Sequence, residues 1–510
     1  MREKYHQTIA FNPRISEINF LQQMDYQAMG FVVAILVCAA WAAAIRRRRK
    51  NLPPGPRRWP VFGNIFQMIS GASAPHRLLA ELAKQHGAVM TIQLGSMTTV
   101  VVSSSQAARA MFKSHDAVLA GRKIYDSLKG DVSHDGSLIV AQYGPRWRTL
   151  RRLCAAEFFS AARLDAMRHV RAACVDEVVE HVKAAAAGDA AVDFGKLFFV
   201  MAFNLIGNLV FSRNLVDPAS ERGAKFFYHA GKTMEWAGKP NFADYWGCLK
   251  WFDFQRIRRT TQFHVKQAFD VAGEFLRERM EDSGRSQKDY LDVLLEYRGD
   301  VLEGSTINVI VFEMFTAGTD TTTSTLEWAM TELLRSPAAL AKVQSELRSA
   351  IGSGEKVTEG DLENLPYLKA VIKETLRLHP PLPFLVPRQA MEPCKFEGFH
   401  IPAGTQILVN VWAIGRDPET WRDPLEFRPE RFLDATAADY KGKHFEFLPF
   451  GAGRRICPAV PLSDRVLPLA LGSVLHRFDW RPAAEIDMRE RMGITLRKAE
   501  SLKAVPSAYV

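Results

Sequence analysis

The sequence predicts one large domain with a long buried central helix, behind a single N-terminal transmembrane helix. The chain has 510 residues, and no repeat, low-complexity tract or long Gly/Ser/Pro-rich linker divides it. Residues 26–45 carry no charge, and a second long apolar stretch runs from Ser305 to Pro337. The composition, 47% hydrophobic and 24% charged, is ordinary for a globular protein and excludes extensive disorder.

The first element is the uncharged segment YQAMGFVVAILVCAAWAAAI, residues 26–45, followed at once by RRRRK. A helix of this length spans roughly the 30 Å of a bilayer core. A buried core helix is disfavoured by the five cations, and a cleaved signal peptide by the lack of a small-residue cleavage site. We therefore expect residues 1–25 to form an N-terminal extension and residues 26–45 the anchor. The positive-inside rule leaves the body of the protein in the cytosol.

Residues 46–60 follow as a basic and proline-rich hinge that ends in LPPGPRRWP. Four prolines in nine residues cannot form a helix, so we expect a stiff spacer between the membrane and a catalytic domain of residues 61–510. The six cysteines lie far apart and the chain has no Asn-x-Ser/Thr sequon. Both features favour a reducing compartment.

Near the C-terminus, the stretch FGAGRRICPA places one cysteine, Cys457, behind two arginines and two glycines. Gly451 and Gly453 permit backbone conformations in which a flat group can lie close to the chain. The apolar stretch after Pro461 is typical of a helix, and its positive N-terminal end would lie near the sulfur. These neighbours predict a lowered thiol pKa, and hence a nucleophile or a metal ligand.

Several interpretations of Cys457 compete. A lone cysteine is most often a buried structural residue. A catalytic nucleophile would need a histidine that only the fold could bring close, and no zinc-binding spacing occurs in the chain. Haem requires one axial thiolate, a backbone that can meet the macrocycle and cations for its propionates. The loop around Cys457 offers all three.

The stretch Ser305 to Pro337 is apolar almost all round in its first half, which is typical of a buried central helix. Its middle, AGTDTT, places Gly318 beside Asp320 and several β-branched hydroxyl residues. The alternatives are a polar patch on a half-exposed helix and a functional site. In the functional interpretation, Gly318 opens a groove for a ligand while Asp320 and Thr321 relay protons.

Three further motifs carry charged side chains. In WRTLR, Trp147 and Arg151 are four residues apart and share one helix face, which is either solvated or directed at an anionic group. In KETLR, Glu374 and Arg377 can form an ion pair, which an arginine from PERF could join. Arg388 follows a proline-broken stretch, where an extended chain would let it meet a carboxylate.

Taken together, FGAGRRIC, AGTDTT, ETLR, PERF and WRTLR occur in the order and at the approximate spacings of the cytochrome P450 family. The resemblance covers residues 52–510. It implies a mainly α fold with small β-sheets, in which haem lies between a long central helix and the cysteine loop. It also implies haem b as cofactor, with O2 and NADPH-derived electrons as co-substrates. The details are similar to plant members of the endoplasmic reticulum, which act on terpenoids, alkaloids or phenolics.

The resemblance implies roles for individual residues. Cys457 would be the thiolate ligand of iron, with Phe450 packed near it, and Asp320 and Thr321 would deliver protons. The propionates would be bound by Trp147, Arg151, Arg388 and Arg455, and a buried triad would form from Glu374, Arg377 and Arg431. Many members have Cys-x-Gly where this chain has Ala459, which is small enough for haem binding to survive.

The implied function is a membrane-anchored monooxygenase of the endoplasmic reticulum that inserts one oxygen atom into a hydrophobic small molecule. The chain has no flavin or nicotinamide fingerprint, so electrons would come from NADPH–cytochrome P450 reductase. The net charge of +10 suits an acidic redox partner, and no motif supports nucleic-acid binding. Two alternatives remain: a haem-thiolate isomerase or dehydratase needing neither O2 nor reductase, and a non-catalytic membrane haem protein.

Overall fold

The structure is a computed structural model that describes residues 51–130, 136–216, 221–281, 288–297, 306–352, 354–434 and 436–509. The predicted extension 1–25, the predicted anchor 26–45 and the first part of the hinge lie outside these residues. Pro53 to Val510 form one compact unit. The predicted class, mainly α with small β-sheets, is confirmed.

Helices make up most of this unit. They are α1 (Ile65–Ser70), α2 (Pro75–His86), α3 (Ser105–Ser114), α4 (Pro145–Glu157), α5 (Ala161–Ala166), α6 (Arg168–Ala187), α7 (Phe194–Phe211), α8 (Glu221–Ala237), α9 (Phe242–Tyr245), α10 (Ile257–Glu281), α11 (Tyr290–Glu296), α12 (Thr306–Arg335), α13 (Pro337–Ala350), α14 (Pro366–Leu378), α15 (Val411–Ile414) and α16 (Val460–Arg477). Short 3-10 turns include Pro429–Phe432 and Gly453–Arg455.

The strands are short and form four small sheets. They are β1 (Val89–Leu94), β2 (Met97–Val102), β3 (Gly121–Arg122), β4 (Val192–Asp193), β5 (Arg388–Gln389), β6 (Cys394–Phe396), β7 (Phe399–Ile401), β8 (Gln406–Val409), β9 (Phe478–Pro482), β10 (Glu490–Met492), β11 (Leu496–Lys498) and β12 (Lys503–Ala508). The largest sheet has the order β1-β2-β8-β5-β3, in which β2 and β8 are parallel. The others are β4-β12-β9, β10-β11 and β6-β7.

Helix α12 is the central element, because it packs against α7, α14 and α16. Its hydroxyl residues do bond back to the preceding turn: Thr321 Oγ1 donates to the Ala317 carbonyl at 2.7 Å and Thr323 Oγ1 to the Thr319 carbonyl at 2.9 Å. The helix is continuous through the AGTDTT motif. An added Cβ at Gly318 would lie 3.0 Å from the side chain of Ile206, so the glycine lets α7 approach closely.

Helix α7 is apolar enough to resemble a membrane span, with a mean hydropathy of 1.7 over its 18 residues. It is the one helix among the described residues that meets this criterion, and 67% of it is buried inside the domain. Phe194, Phe198 and Phe203 on this helix belong to the main hydrophobic core, which α12 shares. Its hydrophobicity therefore reflects burial on nearly all sides.

The prolines before the domain are packed rather than free. The Thr91 amide of β1 donates to the Pro54 carbonyl at 2.7 Å, and the Thr91 hydroxyl donates to the Pro53 carbonyl at 2.9 Å. An added Cβ at Gly55 would lie 2.1 Å from the Thr91 carbonyl oxygen, so this position needs glycine. The compact unit thus includes residues 53–60, which the proline content predicts to be part of a spacer.

Candidate functional site

The cysteine loop connects the 3-10 turn Gly453–Arg455 to helix α16. The Cys457 amide donates to the Phe450 carbonyl at 3.0 Å, so the loop folds back on itself. Gly451 and Gly453 have φ angles of +72° and +67°, the left-handed region that glycine favours. A Cβ on Gly453 would lie 2.5 Å from the Asp116 carboxyl carbon. The glycines therefore fix the loop geometry in front of the sulfur.

The expected lowering of the Cys457 pKa is wrong for the protein alone. Burial raises the pKa of the thiol, and the Ala459 amide and the charge of Arg151 oppose this only in part. Arg454 and Arg455, which were expected to lower the pKa, direct their guanidinium groups elsewhere. A coordinated metal ion is the charge that deprotonates a buried thiol outright.

Arg388, on strand β5, meets the carboxylate that its extended segment predicts. Its Nη1 donates to Asp116 at 2.7 Å and its Nη2 to the Ala452 carbonyl at 2.9 Å. The Arg454 amide donates to the other Asp116 oxygen at 2.7 Å. Asp116 is buried, so one carboxylate joins β5 to the cysteine loop.

Trp147 and Arg455 converge on one backbone oxygen. The Trp147 Nε1 donates to the Leu138 carbonyl at 3.0 Å, and Arg455 Nη1 donates to the same oxygen at 3.3 Å. The guanidinium lies 4.1 Å from the indole ring centre and also bonds the carbonyls of Ala120 and Ala141. Both side chains are buried donors, and the Leu138 carbonyl takes the one N–H of Trp147 while the Arg455 guanidinium keeps further N–H groups.

Arg151 lies on helix α4 one turn after Trp147, as the WRTLR spacing predicts. Burial lowers the pKa of its guanidinium, and the neighbouring thiols of Cys457 and Cys154 act in the opposite direction. The side chain is half-buried. Arg151 therefore supplies positive charge beside the candidate metal ligand.

One face of α12 retains accessible surface although the helix crosses the core. Glu313, Ala317 and Thr321 are four residues apart and share this face. Ala317 is exposed and Thr321 half-buried, whereas Thr319 and Asp320 on the neighbouring faces are buried. This face therefore keeps accessible surface in the middle of α12.

Asp320 does not lie free beside Thr321. Its carboxylate forms an ion pair with Arg497 of β11, and Arg497 Nε also donates to the Thr495 hydroxyl at 3.1 Å. Burial raises the pKa of Asp320, while Arg497 and Thr495 act to lower it. Of the two residues expected to carry protons, Asp320 is therefore paired with Arg497, whereas Thr321 lies on the accessible face of α12.

The buried triad expected from ETLR and PERF is present. Arg377 donates to both Glu374 oxygens at 2.7 and 2.8 Å, and Arg431 Nε donates to Glu374 at 3.0 Å. Arg377 Nη1 also bonds the carbonyls of Gly415 and Pro424. All ionised groups here have partners, which is the condition for a stable buried ion cluster. The triad joins α14 to the segment before the cysteine loop.

The residues at this site fit a haem group. Cys457 offers a soft sulfur ligand that keeps accessible surface even though burial desolvates the thiol. The accessible face of α12 provides a second wall, and the left-handed Gly451 turns the loop, with a Cβ there 3.5 Å from the Leu385 side chain. Buried or half-buried cations suited to two propionates are available from Arg151, Arg388 and Arg455.

Sequence reasoning did not identify Asp116, Glu313 or Arg497 as parts of this site. Asp116 and Arg497 lie in stretches without a motif, and their partners are distant in sequence. Glu313 did leave a signal, because it is the one acidic side chain between Thr306 and Gly318 in an otherwise apolar half-helix. A single carboxylate in such a helix indicates a specific partner.

Comparison with known proteins agrees with the geometry. The family model described as cytochrome P450 matches residues 53–503. The chain is 41% identical to iridoid oxidase of Catharanthus roseus, over 94% of this chain and 96% of that protein. It is also 41% identical to geraniol 8-hydroxylase of Catharanthus roseus, over 91% and 95% of the two chains.

A solved structure of a zebra fish cytochrome P450 with progesterone superposes with a TM-score of 0.73 at 26% identity, covering 85% of this chain and 99% of that one. The alignment and the fold lead to the same family. The chain therefore belongs to the cytochrome P450 family and is a haem-dependent monooxygenase that uses O2 and NADPH-derived electrons.

Proposed function

We propose that this monooxygenase hydroxylates a terpenoid of the geraniol or iridoid type at the membrane of the endoplasmic reticulum. The names of two relatives, geraniol 8-hydroxylase and iridoid oxidase, support the substrate class. The observation that carries the proposal is the half-buried Cys457 in a glycine-shaped loop, with the charge of Arg151 beside its sulfur. Ala317 on α12 supplies apolar accessible surface for such a substrate.

Haem b, when bound, supplies an iron that activates dioxygen with two electrons from NADPH. In our proposal Cys457 holds the iron, and the Phe450 carbonyl fixes the backbone behind the sulfur. The Ala459 amide and Arg151 stabilise negative charge on that sulfur. Arg151, Arg388 and Arg455 would donate hydrogen bonds to the propionates, and Trp147 would do so after exchanging the Leu138 carbonyl, which now accepts its one N–H.

Proton delivery is proposed for Asp320 and Thr321. Thr321 presents its hydroxyl on the accessible face of α12, where a substrate or ordered water can reach it. Asp320 must exchange Arg497 for water before it can pass a proton inward, because the ion pair occupies its carboxylate. Arg497 therefore controls when Asp320 takes part.

We also propose NADPH–cytochrome P450 reductase as the electron donor. The exposed cations near the cysteine loop support a site for an acidic partner. They are Arg148, Arg152, Lys441, Lys443 and Arg454.

An exposed apolar surface supports the membrane location. Trp59, Phe62 and Phe66 lie in ring contact, and Phe62 also contacts Trp246 at 5.8 Å. The following turn exposes Trp251, with 87% of its surface accessible, together with Phe252 and Phe254. We name these seven residues the aromatic surface, and we propose that it contacts lipid.

The decisive experiment is the carbon-monoxide difference spectrum of the reduced full-length protein in microsomes, with Cys457→Ala beside it. We expect the red-shifted Soret band of a thiolate-ligated haem in the wild type and its loss in the variant. A wild-type protein that binds haem without this band would overturn Cys457 as the ligand.

Turnover then tests the reaction and the substrate. With reductase, NADPH and O2, geraniol should yield a product heavier by one oxygen atom. Conversion without NADPH or O2 would favour the isomerase or dehydratase. Absence of substrate-dependent O2 consumption across a terpenoid panel would favour the non-catalytic haem protein.

A further inference from the structure

Glu313 binds the backbone of a loop that crosses the central helix. Its Oε2 accepts the Leu138 amide at 2.8 Å, and both carboxylate oxygens lie 3.4 Å from the Ile139 amide. The Ser137 hydroxyl donates to Oε1. The segment 137–139 therefore places three donors around one carboxylate on the accessible face of α12.

This carboxylate is costly to bury, so its position needs an explanation. Desolvation raises the pKa of Glu313 to about 7, although Ser137, Leu138, Ile139 and Arg455 act to lower it. Its oxygens already accept hydrogen bonds from the protein, so they are not free for a substrate. The geometry is that of a side chain that holds a loop.

The same segment meets the candidate haem site on its other side. The Leu138 carbonyl accepts hydrogen bonds from Trp147 and Arg455, while its amide donates to Glu313. The Ser137 hydroxyl also accepts the amides of Ile139 and Val140 at 3.1 and 2.8 Å. The segment 137–139 thus links α12 to the side chains of Trp147 and Arg455.

We propose that Glu313 is a positioning residue that fixes the segment 137–139 against α12 and thereby sets where Trp147 and Arg455 stand relative to the haem propionates. The inference rests on the proposed function in one respect, the assignment of Trp147 and Arg455 to the propionates. It adds a residue that touches neither the iron nor the propionates.

The chain contains a matched control on the same helix. Glu327 is also a buried carboxylate of α12, and it accepts the Ser501 hydroxyl at 3.0 Å and the Leu502 amide at 2.9 Å. The loop that it holds lies after β11, and both hydrogen bonds go to Oε1, which a glutamine can keep. Glu327→Gln therefore makes the same chemical change in a buried carboxyl group of the same helix, away from Trp147 and Arg455.

The test compares Glu313→Gln and Glu327→Gln with the wild-type holoprotein. One measurement is hydrogen–deuterium exchange of the amides of Leu138 and Ile139, and the other is the rate of haem transfer to apomyoglobin. For Glu313→Gln we expect both rates to rise about tenfold, because an amide offers one acceptor oxygen where the carboxyl group offers two, so that Ser137 or Leu138 loses its acceptor. For Glu327→Gln we expect both rates to stay at the wild-type values, because the glutamine oxygen can still accept from Ser501 and Leu502.

Unchanged exchange at Leu138 and Ile139 in Glu313→Gln would overturn the proposal. If exchange at Leu138 and Ile139 is faster but haem is lost at the wild-type rate, the claim that the segment 137–139 sets the positions of Trp147 and Arg455 is overturned. This conclusion requires that Trp147→Phe accelerates haem loss. If Trp147→Phe does not, the propionate assignment fails instead. Should Glu313→Gln not accumulate as holoprotein, Ser137→Ala carries the test, with an expected rise of about threefold in exchange and no rise as the contrary result.

Discussion

At the scale of the residue, the sulfur of Cys457 lies where burial and nearby positive charge change its pKa in opposite directions. Burial raises the pKa more than the Ala459 amide and Arg151 lower it. The two adjacent arginines bond Asp116, Tyr143 and backbone carbonyls instead. Burial therefore favours the protonated thiol, and the iron that we propose for this site would take the place of that proton.

The hydroxyl of Thr321 provides the first prediction. Thr321→Ala removes the polar group on the accessible face of α12, so product formed per NADPH consumed should fall, with kcat lower by about a hundredfold. Thr321→Ser keeps the hydroxyl and should retain most of the activity. Steady-state turnover with reductase measures both. Equal coupling in the Ala and Ser variants would contradict the proton-delivery role.

The raised pKa of Glu313 predicts a pH dependence. Glu313 has a pKa of about 7 in the fold against an ordinary value of 4.5, so the folded state holds its proton longer than the unfolded state. Its contribution to stability is complete below about pH 4.5 and is lost as the pH rises through 7.

The thermal midpoint of the wild type relative to Glu313→Gln should therefore fall between pH 5 and pH 8, by an amount equivalent to about 2 kcal/mol. Thermal unfolding at several pH values measures this difference. A difference that stays constant over the range would show that Glu313 ionises with an ordinary pKa.

Individual residues were predictable where partners lie close in sequence. Glu374 and Arg377 are three residues apart, so helix periodicity alone placed them in contact. Arg388 and Asp116 are 272 residues apart, and Arg497 and Asp320 are 177 apart. Only the tertiary fold brings such pairs together, and a single sequence carries no local signal for them.

At the scale of the element, the buried triad of Glu374, Arg377 and Arg431 connects α14 to the turn Pro429–Phe432. Glu374→Gln would leave the guanidinium groups of Arg377 and Arg431 without a charged partner in the interior. We expect a loss of about 3–5 kcal/mol in the free energy of unfolding, measured by chemical denaturation of the holoprotein.

Glu430→Gln, on the same turn, is the control. Glu430 pairs with the exposed Lys342, so its substitution should cost no more than about 1 kcal/mol. A similar small loss in both variants would mean that the cluster does not hold the two elements together.

Long helices with a clear apolar pattern could be predicted from the sequence, whereas very short strands could not. The long apolar pattern of α12 and the apolar stretch after Cys457 were identified as helices, and both form. Strands β3, β4 and β5 contain only two residues each. No alternation can be detected over two residues, so such strands depend on the sheet that they join.

At the scale of the whole molecule, the fold was predictable through family resemblance, because motifs in a fixed order specify an architecture that periodicity alone does not. The surface of the described residues has two regions of different chemistry. One is the aromatic surface, and the other is the group of cations near the cysteine loop.

Cys248 tests the aromatic surface, since this free and exposed cysteine lies in the turn Gly247–Trp251. A membrane-impermeant maleimide should label it about tenfold more slowly in microsomes than in detergent, because lipid covers the turn. Lys183→Cys, exposed on α6, is the reference position and should react similarly in both. Equal labelling of Cys248 in the two conditions would contradict lipid contact.

The cations near the cysteine loop make a separate prediction. Reversing Arg148 and Arg152 to Glu should raise the KM for reductase about tenfold at low salt, with little effect at high salt. Reversal of Lys183 serves as the control, because α6 does not include the proposed docking site. An unchanged KM in the double variant would place the electron donor elsewhere.

Helix α7 has a consequence for how the protein is made. While the chain is being synthesised, Phe194–Phe211 emerges before its packing partner Thr306–Arg335, by roughly 5 to 20 seconds at ordinary rates of translation. During that delay an apolar helix of membrane-spanning length, with the single charged residue Lys196, stands beside the bilayer that the chain is proposed to occupy. Correct biogenesis therefore requires that a chaperone or rapid local folding keep this helix out of the translocation channel.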